Sequence, residues 1–437
     1  MKDSANRGQS DVIVSKFDII SSSGKKLSEL VGTKGWNTIK YSESMGLLQG
    51  DTQFISGEVT IIDEVNIFNE MNLVGDEIIE LKFETPQKKE IDFVGRIYNV
   101  DIIQPNNDQR VLLIKFCSAE KIVSDQIKIT RAYREVPYSV MAKDIFTPLN
   151  AISGKKIYAE PTKNIGSLII NNKSPIDALN MITRVSRSAK YMGSNYVFFE
   201  KSDGVFQFRS IESMVDPVEV SPVITYCMEV STGEKNNLKN LVGIKAFKII
   251  TLPNTVRAVQ SGMYGSTIVS NDLMKRRIDY NTFNYDETFQ NFKSLNFNTV
   301  SGGHGKTTLT NNKTYSERNS SVVQFLPKHF GSFDTETNHA DEREDTSLIR
   351  ASQMQQINAI RLQLMVSGDS QRRVGEVVNV ELPPPATKKT AGRMDEILSG
   401  RYLISKIKHL LYSDKSGYTT VLLLVKDSYS NPLPKKA

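Results

Sequence analysis

The chain has 437 residues, of which 39% are hydrophobic and 24% are charged, and its formal net charge is +6. This composition is typical of a folded globular protein and excludes a disordered one, and the length predicts about two to four domains. The longest apolar runs, such as 421–425, are far too short to span a membrane, and the positive charge is spread out with no basic block of the kind that nucleic-acid-binding proteins carry.

The N-terminus is polar and lacks the apolar segment of a secretion signal, so we expect a loose arm there. Cys117 and Cys227 are distant in the sequence and have no metal-binding spacing. We therefore expect reduced, buried thiols and no disulfide.

Residues 1–135 are predicted to form an antiparallel β-barrel or sandwich behind this arm. Ile55, Val59 and Ile61 share one alternating register, and further strands are predicted at 78–83, 93–100 and 111–117. The last of these is almost continuously apolar, which predicts a strand buried on both faces. A short helix is expected at 66–73.

Residues 136–215 are predicted to be an α+β domain. A helix at 139–149 should stop near Pro148. Ser174 and Pro175 form a helix start, and apolar residues at three- or four-residue spacing, namely Ile176, Leu179, Ile182, Val185 and Ala189, extend that helix to near Gly193. Asp203-Gly204 then predicts a tight hairpin between two aromatic strands.

A second barrel is predicted to be split into 216–252 and 358–430. Its clearest early strand is 241–250, and its late strands begin with the alternation of 360–366. The interval 253–357 is predicted to be an insertion, irregular because it is rich in Asn, Ser, Thr and Gly, with acidic residues at 341–345 ahead of a helix to about 357.

The last part of this barrel, 367–428, contains three predicted strands and no obvious catalytic group. Val374, Val378 and Val380 alternate with polar residues. Tyr402, Ile404 and Ile407 also alternate, but with a slip of one residue. The third strand is the run 421–425.

The search for catalytic or ligand-binding motifs finds only weak matches. The segment 301–308 imitates the end of a phosphate-binding loop but has Val300 where that motif requires glycine, so a flexible loop is favoured. Of the four histidines, His304, His329, His339 and His409, no two have His-x-x-x-His spacing; a zinc site at His329 and His339 is disfavoured, and His409 is expected on a strand face.

Other polar groups also have ordinary explanations. Glu342 and Glu344 suit a solvated helix face better than glycosidase chemistry, and the Gly-x-Ser-x-Gly motif of serine hydrolases is absent. Lys275-Arg276-Arg277 suits a solvated loop or an acidic protein partner at least as well as phosphate. Trp36 and the aromatic residues of 283–297 are either core or interface residues. We predict no catalytic, cofactor-binding or metal-binding residue and no cofactor.

Three sets of residues, in their order along the chain, resemble the baseplate hub proteins of contractile-tailed bacteriophages. The first comprises Asn171–Asn180 with 196–200 and 204–210, and the second comprises Gly262-Met263-Tyr264-Gly265, Asn271-Asp272 and Phe283-Asn284-Tyr285. The third comprises Gly368-Asp369-Ser370, 374–378, 399–404, His409 and Val425-Lys426-Asp427.

The resemblance implies an α+β, mainly β fold: two tube-like antiparallel barrels, an intervening α+β domain and an insertion in the second barrel. It implies a non-enzymatic homotrimer whose six barrels form a central hub ring between the tail tube and the spike. DNA would pass through the ring without specific binding, neighbouring baseplate proteins would contact the insertion, and no membrane would be entered. The protein would be part of the virion and be assembled in the host cytoplasm.

Two other classes of function remain open from the residues themselves. One is a tail-associated peptidoglycan hydrolase, whose carboxylates would have escaped notice. The other is a glycan- or receptor-binding β protein, which the β-rich pattern and the aromatic residues would suit.

Overall fold

The computed structural model of the chain describes residues 12–32, 35–48, 50–85, 90–106, 109–217, 223–228, 242–272, 276–299, 314–317, 322–328, 339–384, 394–413 and 417–430. The elements of its first part are β1 (Ile13–Ile20), α1 (Leu27–Val31), β2 (Thr38–Ser44), β3 (Ser56–Asp63), α2 (Ile67–Met71), β4 (Ile78–Glu84), β5 (Glu90–Asn106), β6 (Gln109–Cys117) and α3 (Ala119–Gln126).

The middle part of the chain alternates strands and helices. Its elements are β7 (Ile129–Pro137), α4 (Tyr138–Ser153), β8 (Lys156–Ala159), β9 (Ile165–Lys173), α5 (Pro175–Thr183), β10 (Tyr196–Glu200), β11 (Val205–Ser210) and α6 (Ile211–Val215).

The last part is again rich in strands. Its elements are β12 (Ile224–Met228), β13 (Gly243–Thr251), α7 (Thr255–Gln260), β14 (Gly265–Asp272), β15 (Arg277–Asn284), α8 (Tyr285–Thr288), a 3-10 turn (Phe289–Asn291), β16 (Asn298–Thr299), β17 (Val323–Lys328), α9 (His339–Gln356), β18 (Ile360–Ser367), β19 (Val377–Glu381), β20 (Gly400–Tyr412), β21 (Tyr418–Lys426) and β22 (Ser428–Tyr429).

The first barrel is an antiparallel sheet in the order β1-β4-β5-β6-β3-β2, curved around one hydrophobic core. Trp36 belongs to this core, where its ring lies edge-on to Phe17 at 6.3 Å. The prediction that 111–117 is buried on both faces was wrong. Leu112 and Ile114 point into the core, but Val111 and Leu113 lie half-buried on the outer face, because no second layer covers the described part of that face.

The middle part packs helices α4 and α5 against small sheets, including the predicted hairpin of β10 and β11. Pro148 does not end the predicted helix but lies inside α4. A proline at 148 leaves the carbonyl of Asp144 without its usual helical N–H partner. Arg131 supplies the missing donor, with its Nη1 at 2.8 Å from that carbonyl oxygen, so the helix continues.

Helix α5 begins as predicted, with Ser174 accepting a hydrogen bond from the Asp177 amide, but it ends at Thr183 and not near Gly193. Asn164 accounts for the early end. Its side chain donates to the Val185 carbonyl (2.7 Å) and accepts from the Arg187 amide (2.9 Å), so these groups are taken from the helix.

The second barrel is closed, in the order β20-β19-β12-β13-β18-β21 and back to β20. Its fully buried residues include Leu362, Leu364, Tyr402 and Leu422. The structure therefore confirms a mainly β fold in which 224–251 and 360–426 supply the strands of one split barrel. The slip in the alternation of 402–407 is a β-bulge between Ile404 and Lys406.

The insertion between β13 and β18 is more regular than predicted. Strands β14, β15 and β17 form a sheet that packs against α9, which begins at His339, so that 341–345 lie inside this helix and not ahead of it. The sheet was not predicted because the buried face of β14 carries Ser266 and Ser270, whereas the prediction of a strand relies on apolar residues at alternate positions.

The two barrels have the same strand order. Numbered by their sequence positions within each barrel, the strands of both lie in the order 1-4-5-6-3-2. The hairpins β5–β6 and β20–β21 even carry a bulge at the same point, at Tyr98 and at Ser405. The first strand is the exception, because β1 is antiparallel to β4 whereas β12 is parallel to β19.

Candidate functional site

The most informative element is β20, because it belongs to both barrels. Along one edge it pairs with β21. Along the other edge Gly400–Leu403 pairs with β19, and Lys406–Tyr412 pairs with β2 of the first barrel. We call this second contact the junction. It joins both barrels into one continuous sheet of 12 strands.

The bulge at Ser405 is where β20 changes its neighbour. The Ser405 Oγ donates to the Leu423 carbonyl at 2.9 Å, and its carbonyl accepts from the Met45 amide at 3.0 Å. A bulge increases the local twist of a strand. Ser405 therefore marks the point at which the strand leaves β19 and turns toward the first barrel.

His409 lies at the centre of the junction and is fully buried. Its Nδ1 is 2.7 Å from the Tyr418 hydroxyl, and its ring packs at 5.8 Å from those of Tyr41 and Phe83. Burial, with a smaller effect from Arg373, lowers the pKa of His409 to about 3, so the ring is neutral at physiological pH. The prediction of a strand-face residue is confirmed, on the inward face.

Glu43 is the unusual buried group of the junction. Burial raises its pKa to about 7 from 4.5, opposed by nearby Arg373 and by Ser202. No hydrogen bond of good geometry reaches either carboxylate oxygen within the described residues. A buried charge without hydrogen bonds is costly, so the folded state favours protonated Glu43 near neutral pH.

A buried ion cluster connects the first barrel to the middle part of the chain. Lys155 Nζ lies 3.0 Å from Glu120 and 2.6 Å from Glu200. Glu200 also accepts from the Ser118 hydroxyl and from the Ile55 amide at 3.1 Å. These contacts occupy both oxygens of Glu200 but only Oε2 of Glu120, since Oε1 of Glu120 has no hydrogen-bond partner within the described residues. The shared cation and the Ile55 amide indicate a structural role.

Arg350 connects α9 to the middle part in a different way. Its Nη1 donates to the carbonyls of Thr183, Ser194 and Tyr196 at 2.9–3.2 Å. Burial, together with Arg184, lowers the pKa of Arg350 to about 10. The three carbonyl oxygens accept in place of a carboxylate, so the guanidinium of Arg350 joins α9 to three backbone positions of the middle part.

Only some of the weak candidate motifs found in the sequence lie among the residues that the structure describes. The phosphate-loop imitation at 301–308, with His304, and also His329 and Lys275, lies outside the described residues, as do the side chains of His339, Glu342 and Glu344. In the part of the chain that is described, no group of three or more His, Cys, Asp and Glu could hold a metal ion. Arg277 pairs with Asp279 at 2.6 Å, and Arg276 is exposed.

Both cysteines are free, but only Cys117 is buried, and burial raises its pKa to about 11; Cys227 is half-buried. The aromatic residues of 283–297 separate into two groups. Phe283, Tyr285 and Phe289 are core residues, whereas Phe297 is 89% exposed. Sequence alone had left this choice open.

A cavity of about 270 Å³ lies where β13 ends, between α7 and the end of α9. Arg257 and Arg361 both line it, and burial and Arg257 lower the pKa of Arg361. Among the described residues that line it there is no carboxylate; the rest of the wall is apolar, apart from amide side chains and the hydroxyl side chains of Thr251 and Tyr264. The cavity therefore offers cationic, apolar and hydroxyl contacts.

An exposed apolar stripe crosses the insertion sheet. Tyr280 and Phe325 flank Val269 on neighbouring strands, and they are 69% and 79% exposed. Exposed aromatic residues on a regular sheet face are typical of protein contact surfaces. No helix in the described part of the chain is long and apolar enough to cross a bilayer.

Comparison with known proteins gives a result only at the level of structure. No protein-family model matches the chain, and no curated protein sequence matches it. Among solved structures, the tail protein from Neisseria meningitidis MC58 is similar, with a TM-score of 0.58 and 11% identity over 95% of this chain and 97% of that one. The chain shares the fold of a tail protein.

Two further solved structures also match the chain. The 43 kDa tail protein of prophage MuSo2 from Shewanella oneidensis has a TM-score of 0.51 and 11% identity, over 95% of this chain and 99% of that one. A weaker match, with a TM-score of 0.34 and 10% identity over 97% of this chain and 100% of that one, is to the phage P2 virion baseplate in its activated conformation. The two neighbours with a TM-score above 0.5 are both tail proteins, which confirms the predicted resemblance at the level of the fold.

Proposed function

We propose that this protein is a structural component of the baseplate of a contractile phage tail or a related injection device. Three copies would close a central hub ring, with the tail tube protein on one side and the central spike protein on the other. DNA would pass through the lumen without specific binding. The protein would assemble in the host cytoplasm and remain in the virion.

The observation that carries this proposal is the fusion of two barrels with the same strand order through β20. Such a chain presents two similar units side by side, so a ring of three chains presents six. A six-unit ring can meet a hexameric tube, while the three chains keep three-fold symmetry toward the spike. One chain type thereby matches two different symmetries.

The insertion is proposed to contact neighbouring baseplate or spike proteins. Its exposed stripe of Tyr280 and Phe325 supports this role, since large aromatic residues are enriched at protein interfaces. We propose that the first barrel domain covers 1–135 and that the α+β domain covers 136–215. The second barrel domain then consists of 216–252 and 358–430, and 253–357 is the insertion between these two pieces.

The proposed role needs no enzyme activity, cofactor or metal. The two most similar solved structures named above are tail proteins, and each of the buried carboxylates Glu120, Glu200 and Glu212 has at least one structural partner. We propose that no catalytic residue is present.

The test is the mass of the purified chain in solution by light scattering, followed by imaging of the particle. We expect a trimer that appears as a ring with pseudo-sixfold symmetry and that binds tube protein and spike protein on opposite faces. A stable monomer that binds neither would contradict the proposal. Peptidoglycan cleavage that is lost on changing a single carboxylate would establish the hydrolase instead.

A further inference from the structure

The strand β13 of the second barrel has one unpaired edge. It pairs with β18 along one side, but with β12 only at Gly243 and Ile244. From Lys245 to Thr251 no strand of the described chain pairs with the second edge. A free edge presents a row of unused N–H and C=O groups and favours the addition of another strand.

The side chains of this edge show that a neighbour is missing. Phe247 and Ile249 lie opposite Leu364 and Leu362, which are fully buried residues of the barrel interior. They therefore belong to the inward face, yet they are 41% and 38% exposed. An inward-facing apolar residue remains exposed when the strand that should flank it is absent.

The first barrel shows what covers the equivalent strand. When the two barrels are aligned by their strand registers, Ile39 of β2 is equivalent to Phe247 of β13, and Tyr41 is equivalent to Ile249. Lys40 corresponds in the same way to Lys248. Ile39 and Tyr41 are fully buried, because β20 pairs with their edge through seven residue pairs at the junction.

The strand equivalent to β20 is β5, and it also has a free edge. β4 pairs with β5 only up to Arg96, and beyond the bulge at Tyr98 only β6 flanks it within the described chain. In β20 the matching half, after the bulge at Ser405, is the part that pairs with β2. Ile102 corresponds to His409, faces the buried Leu112, and is nevertheless 44% exposed.

We propose that β13 of one copy pairs antiparallel with the second half of β5 in the next copy, repeating the junction between chains. The register of the junction then places Ile249 opposite Ile102, and Lys248 opposite Ile103. The occupant of the edge is a second copy of this chain, because the chain itself carries the equivalent of β20 with its edge unused. This inference rests on the proposed ring and specifies how its copies join.

The two edges differ from each other, so the contact is head-to-tail. A head-to-tail contact either closes into a ring or grows into a filament. If the ring closes at three copies, every barrel pairs with both neighbouring barrels through strands. One of these contacts is the junction within the chain, and the other is the same kind of pairing with the next copy. The ring wall then becomes one uninterrupted sheet, which removes all the free edges described here.

Disulfide trapping tests the register. Directly opposed residues of antiparallel strands have Cα atoms about 4.5–5.5 Å apart, which is within the range that a disulfide spans. The full chain carrying both Ile102→Cys and Ile249→Cys is oxidised and run on a denaturing, non-reducing gel. We expect covalent dimers and closed trimers, whereas a mixture of the two single variants should stop at dimers.

The matched control is Val94→Cys with Ile249→Cys. Val94 is also exposed on β5, but it lies in the half that already pairs with β4, so no cross-link should form. The unmodified chain, with its free Cys117 and Cys227, gives the background. Cross-linking of the control pair but not of 102 with 249 would overturn the register.

A second variant separates this inference from the proposed function. Ile249→Asp changes a side chain that is 38% exposed in the isolated chain. At a concentration at which the unmodified chain is also monomeric, the thermal unfolding midpoint of the variant should move only slightly, whereas at higher concentration the variant should not form the ring. A trimer that persists in this variant, or a trimer without the 102–249 cross-link, would overturn the strand pairing but leave the hub ring standing. An unmodified chain that stays monomeric would overturn both.

Discussion

The two barrels of this protein repeat one strand order but differ at a single edge. In the first barrel β20 covers β2, and Ile39 and Tyr41 are fully buried; in the second, the equivalent Phe247 and Ile249 remain exposed. The pattern of apolar residues is the same in both strands. The comparison teaches that the neighbour at the edge, and not the strand's own sequence, decides whether an inward residue is buried.

The barrels also differ in how they attach to the middle part of the chain. The first uses the ion cluster of Glu120, Lys155 and Glu200, all deeply buried or nearly so. Among the contacts of the second is a hydrogen bond from Arg401 to the carbonyl of Val215 at 3.3 Å. Four predictions test these contrasts.

The largest effect is expected for Lys155→Met. This change leaves two buried carboxylates without their cation, which costs about 3–5 kcal/mol in the free energy of unfolding. Arg401→Met removes a charged donor from one carbonyl and should cost about 1.5–3 kcal/mol. Urea denaturation of both variants gives the comparison, and equal losses would contradict the contrast between the two attachments.

The next prediction compares Ile39→Ala with Ile249→Ala. Ile39 is fully buried, so its truncation should cost about 2–5 kcal/mol. Ile249 is partly exposed in the isolated chain and should cost less than about 1.5 kcal/mol there. The measurement is the unfolding free energy at a concentration low enough to keep the chain monomeric. If Ile249→Ala costs as much as Ile39→Ala in the monomer, its edge is already covered.

The third prediction concerns Glu43 and the pH dependence of stability. In the second barrel the position equivalent to Glu43 lies at the end of β13 and is occupied by the exposed Leu252. The folded-state pKa of Glu43, about 7, lies above its ordinary 4.5. Protonated Glu43 therefore contributes its full stability below about pH 4.5, and this contribution is lost as the pH rises through about 7. Relative to the unmodified chain, Glu43→Gln should gain up to about 3 kcal/mol between pH 4.5 and pH 8.

The control for Glu43 is Glu212→Gln. The pKa of Glu212 is also raised to about 7 by burial, but its oxygens accept from the amides of Gly193 (2.7 Å) and Lys293 (2.9 Å). Glutamine can keep only part of these bonds, so this variant should lose stability at low pH. A stability difference for Glu43→Gln that stays flat with pH would show that folding does not raise the pKa of Glu43.

The smallest effect is expected on the outer faces. Lys40 pairs with Glu58 at 2.5 Å, whereas the equivalent Lys248 lies opposite the neutral Gln363. A double-mutant cycle on Lys40 and Glu58 should give a coupling below about 1 kcal/mol that weakens with salt, and the same cycle on Lys248 and Gln363 should give none. A salt-dependent coupling at Lys248 would show that another charge reaches it.

Much of the local structure could be predicted from the sequence because it depends on nearby residues. The Asp203-Gly204 hairpin formed because glycine tolerates the positive φ of 76° at position 204. The start of α5 followed from the Ser174 cap. The slip in the alternation of 402–407 was visible in the sequence, and the structure shows that it is a bulge between Ile404 and Lys406.

Two of the failures involved partners that are distant in the sequence. Pro148 was tolerated because Arg131 donates to a carbonyl that lacked its helical partner. Helix α5 ended early because the Asn164 side chain bonds backbone groups of Val185 and Arg187, just beyond the last residue of the helix. The insertion sheet was missed because serines replaced apolar residues on its buried face. None of these contacts leaves a periodic signal in the sequence.

The opening strands and the last barrel strands were thus determined by their own alternation, which sets which side chains share a face. Only the tertiary structure decided that β20 serves two barrels, because strand pairing is a contact between backbones that many sequences allow. The same backbone contact covers Ile39 and Tyr41 and leaves Phe247 and Ile249 exposed on a free edge.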